Sequence, residues 1–203
     1  MSGRDVVLAA VRRATQTGVA HPGPHPAPPL AADFASFAAM LVSVGGEAHG
    51  PFSHAALTAA VLANAQRWAA GGRIVAEPSA AALLGIASME IARTDATPHS
   101  FADVAVAIAR GSVGVAENGA VAVTAQDAPN RSLLFLAERV ILLLDAACLV
   151  GDLHSAVRVL PESAWRSQLT FISGPSKTAD IESTLVQGAH GPRALAVFAY
   201  LSV

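Results

Sequence analysis

The strongest restriction on the fold comes from the segment RVILLLDA at residues 139–146. Its apolar residues are continuous and do not alternate with polar ones, which predicts a strand that is buried on both faces. Strands of this kind belong to parallel sheets that are covered by helices on both sides. An α/β fold is therefore the first expectation for this chain.

Shorter strand-like and helix-like segments alternate along the chain from residue 71 onward. The predicted strands are 73–77, 88–94, segments within 104–124, 169–173 and 194–203, and the predicted helices are 78–86, 151–160 and 178–188. This alternation indicates a three-layer, Rossmann-like α/β domain with a largely parallel sheet over residues 71–203.

The first 70 residues have a different pattern. Helical periodicity predicts helices at residues 2–17 and 31–43, and a third helix that begins after Ser53. The proline-rich segment 18–29 predicts a loop. We therefore expect residues 1–70 to form a helical N-terminal extension. His21 and His25 lie in the proline-rich loop without acidic or cysteine partners nearby, so we expect no metal site there.

The composition argues against several classes of protein. The net charge is -2 and the basic residues are scattered, so nucleic acid is not the expected partner. The most apolar run, residues 140–151, is interrupted by Asp145 and is too short to span a membrane. No secretory signal is recognisable at the start, and Cys148 is the single cysteine. The expected location is the cytoplasm.

Polar residues are concentrated in FISGPSKTADIE at residues 171–182, where a predicted strand meets a glycine turn and a predicted helix. Ligands tend to bind beyond the carboxyl ends of parallel strands. The free N–H groups of a helix start, together with Ser176, Lys177 and Thr178, could hold a phosphate or a carboxylate. Alternatively, Ser176 or Thr178 is an ordinary helix cap, and both interpretations stay open.

A longer segment, ISGPSKTADIESTLVQGAHGP at residues 172–192, closely resembles the C-terminal signature of the lactate utilization protein C family, the LUD-domain proteins. Lys177 stands where arginine is common in that signature, and Ala189 stands where valine is common. GSVGVAENGAVAV at 111–123 is similar to the family's A-x-A-E-T-G-T segment. NRSLLFLAERVILLL at 130–144 is similar to its R-x-x-S-L-L-P stretch, with Phe135 in the usual place of proline.

The resemblance implies a fold like that of the sugar-phosphate isomerase and CoA-transferase group. It also implies a role in bacterial oxidation of L-lactate to pyruvate, alongside iron–sulfur partner proteins. One cysteine cannot hold a Cys-ligated cluster, so this chain would be a component without a cluster, and its own cofactor is unknown. It would bind a small anionic metabolite or a redox partner, or act as a scaffold.

Glu117, in the segment AENG, could bind a substrate or a partner, and it has two further interpretations. The resemblance to CoA transferases, which use a glutamate of a Glu-Asn-Gly segment to attack acyl-CoA, implies a catalytic nucleophile. The alternative is a hairpin turn, since Asn118-Gly119 between two apolar runs is a strong hairpin signal.

Two further residues are candidates for anion or substrate binding. His190, in the turn AHGPR, could exchange protons near neutral pH, or it is a turn histidine that is hydrogen-bonded to the backbone. Arg131 could bind an anion, or it merely starts the next element. We expect the loops Glu117–Gly119, Ser173–Thr178 and His190–Arg193 to converge on one pocket. The candidate site residues are therefore the catalytic candidate Glu117 and, for substrate or anion binding, Gly119, Ser173, Gly174, Ser176, Lys177, Thr178, His190 and Arg131.

Overall fold

The computed structural model of the protein describes residues 2–14, 20, 23, 30–86, 89–178 and 185–202. The helices in these residues are α1 (Gly3–Ala14), α2 (Phe34–Ser43), α3 (His54–Ala69), α4 (Pro78–Leu84), α5 (Leu133–Leu136), α6 (Leu153–Val159) and α7 (Glu162–Trp165), with short 3-10 helices at Pro98–Phe101 and Ala146–Cys148. The strands are β1 (Glu47–Phe52), β2 (Arg73–Ala76), β3 (Glu90–Ile91), β4 (Val104–Gly111), β5 (Val113–Val115), β6 (Ala120–Thr124), β7 (Arg139–Asp145), β8 (Leu149–Val150), β9 (Leu169–Ile172), β10 (Lys177–Thr178), β11 (Val186–Gln187) and β12 (Ala194–Tyr200).

The central sheet has six strands in the order β1-β12-β7-β4-β2-β3, and all of its pairings are parallel. Strand β7 lies inside this sheet, and its residues 140–144 are fully buried. Successive side chains of β7 enter two different hydrophobic clusters, because neighbouring residues of a strand point to opposite faces. The predicted strand that is buried on both faces is thus confirmed.

Layers of different composition cover the two faces. Helices α3 and α4 pack on one face through residues such as Leu57, Val61 and Leu84. The other face is covered by α2, α5 and a second sheet with the order β8-β5-β6-β9. The three-layer α/β fold with a largely parallel sheet is therefore confirmed.

Strand β1 lies in the region for which only helices and loops were predicted. It forms one edge of the central sheet and pairs parallel with β12, with Glu47 opposite Ala196. Its sequence, EAHGPF, has little apolar periodicity, so its pairing with β12 and not its own pattern determines its structure. Helix α1, in contrast, has no buried residue.

The predicted course of residues 169–188 is wrong in two respects. Strand β9 does not join the parallel sheet, because it pairs antiparallel with β6 in the second sheet. The helix that was predicted for 178–188 does not begin at Thr178, since Lys177–Thr178 pairs antiparallel with Val186–Gln187. Main-chain bonds from Gly188 N–H to Ser176 O and from Ser176 N–H to Pro192 O hold this hairpin in place. Residues 179–184 lie outside the described residues.

Among the helices that the structure describes, none combines the length and the apolar character that a membrane crossing requires.

Candidate functional site

The turn at residues 116–119 joins β5 to β6, as the hairpin interpretation of Asn118-Gly119 predicts. Asn118 Oδ1 accepts a hydrogen bond from Ala120 N–H at 3.0 Å. Gly119 has a φ of +64°, and a Cβ on it would lie 2.6 Å from the main-chain nitrogen of Leu41 in α2. Glycine is thus required here both by the backbone conformation and by the close approach of α2.

The side chain of Glu117 is exposed and accepts a hydrogen bond through Oε2 from Leu153 N–H, at 3.0 Å. Leu153 is the first residue of α6, so the Glu117 carboxylate satisfies one of the free N–H groups of that helix start. A carboxylate nucleophile has to be desolvated and directed at its substrate. The surroundings of Glu117 fit a helix-capping role better than that chemistry.

The signature turn at residues 173–177 packs against the end of α2. Ser173 Oγ donates a hydrogen bond to the carbonyl oxygen of Asn118 at 2.6 Å. Gly174 has a φ of +71°, and a Cβ on it would lie 2.7 Å from the carbonyl oxygen of Val44. Lys177 Nζ donates to the same carbonyl oxygen at 2.6 Å. The side chains of Ser173 and Lys177 are therefore engaged in contacts within the chain.

His190 lies in the next turn and lines a cavity of about 600 Å³. The cavity is at the amino ends of β4, β7 and β12, and it is the feature that we call the amino-edge groove. Its other lining residues include Asp103, Phe135, Leu136, Glu138 and Arg193. Neither Glu117 nor Lys177 is among the lining residues, so the three predicted loops do not share this cavity.

Charges of both signs face the amino-edge groove. Glu138 pairs with the guanidinium groups of Arg139, at 3.2 Å, and Arg193, at 3.7 Å. Asp103 pairs with Arg73, which also pairs with Glu90. Since each of these cations already has a carboxylate partner, the groove has little excess positive charge with which to hold a small anion.

Arg131 is separated from the other candidates. It is exposed and follows Asn130, whose hydrogen bonds to Glu77 hold it just beyond the carboxyl end of β2. Thr178 belongs to β10, opposite Val186. The structure therefore brings four of the candidates together around α2, namely Gly119, Ser173, Gly174 and Lys177. Ser176 and His190 lie in the adjoining turns. Arg131 lies apart from them, at the carboxyl edge of the central sheet.

The carboxyl edge of the central sheet has polar residues that were not predicted from the sequence. Glu77 follows β2 and is fully buried, and its two carboxylate oxygens accept from the backbone N–H and the side-chain Nδ2 of Asn130, both at 3.2 Å. Burial raises the pKa of Glu77, and the hydrogen bonds from Asn130 oppose that rise. A glutamate between an apolar strand and a helix-starting proline is the sequence signal that could have identified it.

Arg110 and Tyr200 also lie at the carboxyl edge, at the ends of β4 and β12. Arg110 Nη2 donates to Tyr200 Oη at 3.2 Å. Burial raises the pKa of Tyr200, an effect that the nearby Arg110 counteracts. Across the described ranges, no three metal-binding side chains lie close enough together to hold an ion. His21 and His25 are outside the described residues.

Comparison with known proteins agrees with this three-layer α/β architecture. A solved structure of a DUF162 family protein from Deinococcus radiodurans superposes with a TM-score of 0.64, at 19% sequence identity, over 82% of this chain and 94% of that protein. The likeness at this level of identity shows the fold.

The LUD domain family model matches residues 65–200, and the chain belongs to that family. Among its relatives, the uncharacterized protein NMB1437 of Neisseria meningitidis is 33% identical over 103 residues, which are 50% of this chain and 44% of that protein. Lactate utilization protein C of Geobacillus kaustophilus is 34% identical over 92 residues, 43% of this chain and 38% of that protein. The protein of the same name from Shouchella clausii is 35% identical over 91 residues, 43% of this chain and 40% of that protein. The chain thus spans less than half the length of these relatives.

Proposed function

We propose that this chain is a cytoplasmic component of a bacterial system that oxidises L-lactate to pyruvate, and that it supplies a docking surface for an iron–sulfur partner protein. The names of its relatives support the lactate-utilization role. Cys148 is the one cysteine of this sequence and cannot by itself hold a Cys-ligated cluster, so the proposal places such a cluster in another protein. Such a system needs a surface that joins this chain to the cluster protein.

The amino-edge groove is the proposed surface. The observation that supports this role is the exposure of two large apolar side chains, Phe135 at 46% and Leu136 at 44%, beside His190 of the signature turn. Apolar residues at the centre of a patch with charged residues around them are typical of protein interfaces. Glu138 and Arg193 provide that charged rim.

A small anion is less well suited to this groove. The carboxylates of Asp103 and Glu138 line it, and they would repel a second negative charge. Lys177, the signature cation, is occupied by the carbonyl oxygen of Val44. Acyl transfer by Glu117 has no supporting contact either, because its exposed carboxylate caps α6.

The experiment is a titration of the purified chain with candidate cysteine-rich, cluster-binding proteins from the same organism. We expect binding in the wild type, and we expect Phe135→Asp to weaken it at least about tenfold, which is roughly 1.4 kcal/mol. His190→Ala is expected to weaken it less. Val157→Asp is the matched control, since Val157 is also exposed, at 44%, but belongs to α6.

Lactate-dependent reduction of an electron acceptor by the reconstituted proteins gives an independent readout. For Phe135→Asp, the rate of this reduction is expected to fall when the partner concentration is below the dissociation constant of that variant. The rate is expected to recover at high partner concentration. Absence of binding by the wild type, or equal effects of Phe135→Asp and Val157→Asp, would refute the proposed surface.

A further inference from the structure

The carboxyl edge of the central sheet has an arginine, Arg110, that forms no salt bridge with any of the described residues. In the described part of the chain, no carboxylate oxygen lies within 4.0 Å of the Arg110 guanidinium, and its recorded partner is the neutral hydroxyl of Tyr200. Its Nε is buried and has no hydrogen-bond acceptor. A partly buried cation without a salt-bridge partner destabilises the folded protein, because its lost hydration is not replaced. A bound ligand often explains such an unsatisfied polar group.

The position of Arg110 favours a ligand. It is the penultimate residue of β4, and Tyr200 is the last residue of β12, with β7 between these two strands. Arg110 follows Ile108 by two residues, so both side chains leave the sheet on the face that is covered by α3 and α4. In parallel α/β sheets, ligands bind beyond the carboxyl ends of the strands, and this pair lies at that edge.

The donors that remain free match a carboxylate. Arg110 uses one Nη2 hydrogen for Tyr200, and its other Nη hydrogens have no recorded acceptor within the described residues. The Tyr200 oxygen accepts in that bond, so its own hydrogen can be donated to a ligand. A planar guanidinium binds a carboxylate through two parallel hydrogen bonds, and the phenol adds a third donor.

Asp145, at the end of β7, is the register partner of Tyr200 in β12. Its side chain leaves the sheet on the same face as Arg110 and Tyr200, because Ile141 and Leu143 of β7 also lie on that face. The Asp145 charge raises the pKa of Tyr200 and of the Cys148 thiol, in both cases after the larger effect of burial, so it is a negative charge beside the pair. Its carboxylate accepts a hydrogen bond from Ala147 N–H at 2.9 Å and caps the short 3-10 helix that follows β7. A cavity of about 280 Å³, lined among others by Ser112 and Cys148, adjoins the segments that follow β4 and β7. Neither Arg110 nor Tyr200 is among its lining residues, so a ligand of the pair would lie outside this cavity.

We propose that Arg110 and Tyr200 form a binding site for the carboxylate of a small 2-hydroxy or 2-oxo acid. The assignment to this class of acid rests on the proposed role in lactate utilization, whereas the assignment to a carboxylate rests on Arg110 and Tyr200. The site is at the carboxyl edge, opposite the amino-edge groove, so the chain would hold its metabolite and its partner protein at two ends of one sheet.

The test is calorimetric titration of the full chain with L-lactate, pyruvate, acetate and inorganic phosphate at constant ionic strength. We expect one site for L-lactate or pyruvate, with an affinity on the order of 1 mM or tighter and weaker binding of acetate and phosphate. Arg110→Gln is expected to weaken binding by at least about tenfold and Tyr200→Phe by about threefold to fivefold.

Arg158→Gln is the matched control, because Arg158 is an exposed arginine on α6 that bonds Ser155. Arg110→Lys is the second variant if Arg110→Gln does not fold; it keeps the charge, loses the planar fork, and is expected to bind pyruvate at least about fivefold more weakly. The proposal is wrong if none of the acids binds, if phosphate binds best, or if Arg110→Gln and Arg158→Gln bind equally well. Loss of partner docking in Phe135→Asp with normal acid binding would separate the two proposals.

Discussion

Lys177 donates a hydrogen bond from its Nζ to the main-chain carbonyl oxygen of Val44, over 2.6 Å, and so joins the signature turn to the end of α2. The two residues are 133 positions apart in the sequence. Val44 directly follows α2, where carbonyl groups lack partners within the helix. The lysine of the family signature therefore satisfies a helix end in this protein.

Replacement of Lys177 by methionine tests this structural role. We expect Lys177→Met to lower the free energy of unfolding by about 1 kcal/mol, because it removes a hydrogen bond from a charged donor to an exposed helix end. Lys177→Arg keeps a charged hydrogen-bond donor, so its free energy of unfolding is expected to fall less. Urea unfolding measures both. Unchanged stability in Lys177→Met, combined with weaker binding of an anion, would instead favour the anion-site interpretation of the signature turn.

Gly119 and Gly85 form a matched pair for the packing of the Glu117–Gly119 turn. Both have a φ of +64°, but a Cβ on Gly119 would lie 2.6 Å from Leu41 N, whereas a Cβ on Gly85 would meet nothing within 4 Å. We expect Gly85→Ala to lower the free energy of unfolding by about 1 kcal/mol, because alanine is strained in this backbone conformation. Gly119→Ala adds a collision with the main chain of α2 and is expected to cost about 3 kcal/mol or more.

Thermal or urea unfolding of the two alanine variants provides the comparison. Because the conformational term is the same in both, the difference between them measures the close approach of α2 to the turn. Equal losses in the two variants would mean that α2 does not lie against Gly119 as described.

Glu77 is expected to make stability depend on pH. Burial raises its pKa in the folded state, so the folded protein binds more protons than the unfolded chain between the two pKa values. The free energy of unfolding therefore falls as the pH rises. The fall begins in the range in which a free carboxyl group loses its proton, and it ends above the pKa that Glu77 has in the folded protein. Glu77→Gln has no such proton to lose, and its stability is expected to fall less over that range.

Urea unfolding of wild type and Glu77→Gln between about pH 5 and pH 8 tests this linkage. The stability of the variant relative to the wild type is expected to increase with pH. Glu162→Gln is the control for removal of a carboxylate, since Glu162 is an exposed helix residue paired with Arg166. Parallel pH profiles for wild type and Glu77→Gln would contradict the account of Glu77.

The central part of the fold could be predicted because its sequence signals are local. The continuous apolar run of β7 and the Pro78 start of α4 each specify a structure with little help from distant residues. The Asn118-Gly119 hairpin is also a local signal, and it was confirmed. These elements indicate a layered α/β fold without any knowledge of the strand order.

The errors concern pairing between distant segments. A strand sequence does not say which sheet it joins, so β9 was assigned to the parallel sheet although it pairs with β6. Strand β1 has a weak pattern of its own and exists because β12 offers an edge. For the same reason the signature turn was placed at the carboxyl ends of parallel strands, whereas His190 in the adjoining turn lies at their amino ends.

The candidate site was harder to predict than the fold. The signature drew attention to Lys177, and the resemblance to CoA transferases drew attention to Glu117. Their side chains bond main-chain groups at the end of α2 and at the start of α6. Arg110, in contrast, lies next to the end of a strand with no motif around it. That the described residues place no carboxylate within 4.0 Å of it is visible only once the strands are assembled. The proposed site follows from contacts between assembled strands, and no spacing in the sequence encodes it.

Amide hydrogen exchange of this chain, alone and with its cluster-containing partner, tests the central claim most directly. The account predicts slower exchange at residues 135–138 and 188–193, which border the amino-edge groove, and little change in α6 or β1. Protection confined to other surfaces, or no protection at saturating partner concentration, would contradict the proposal that this groove docks the partner.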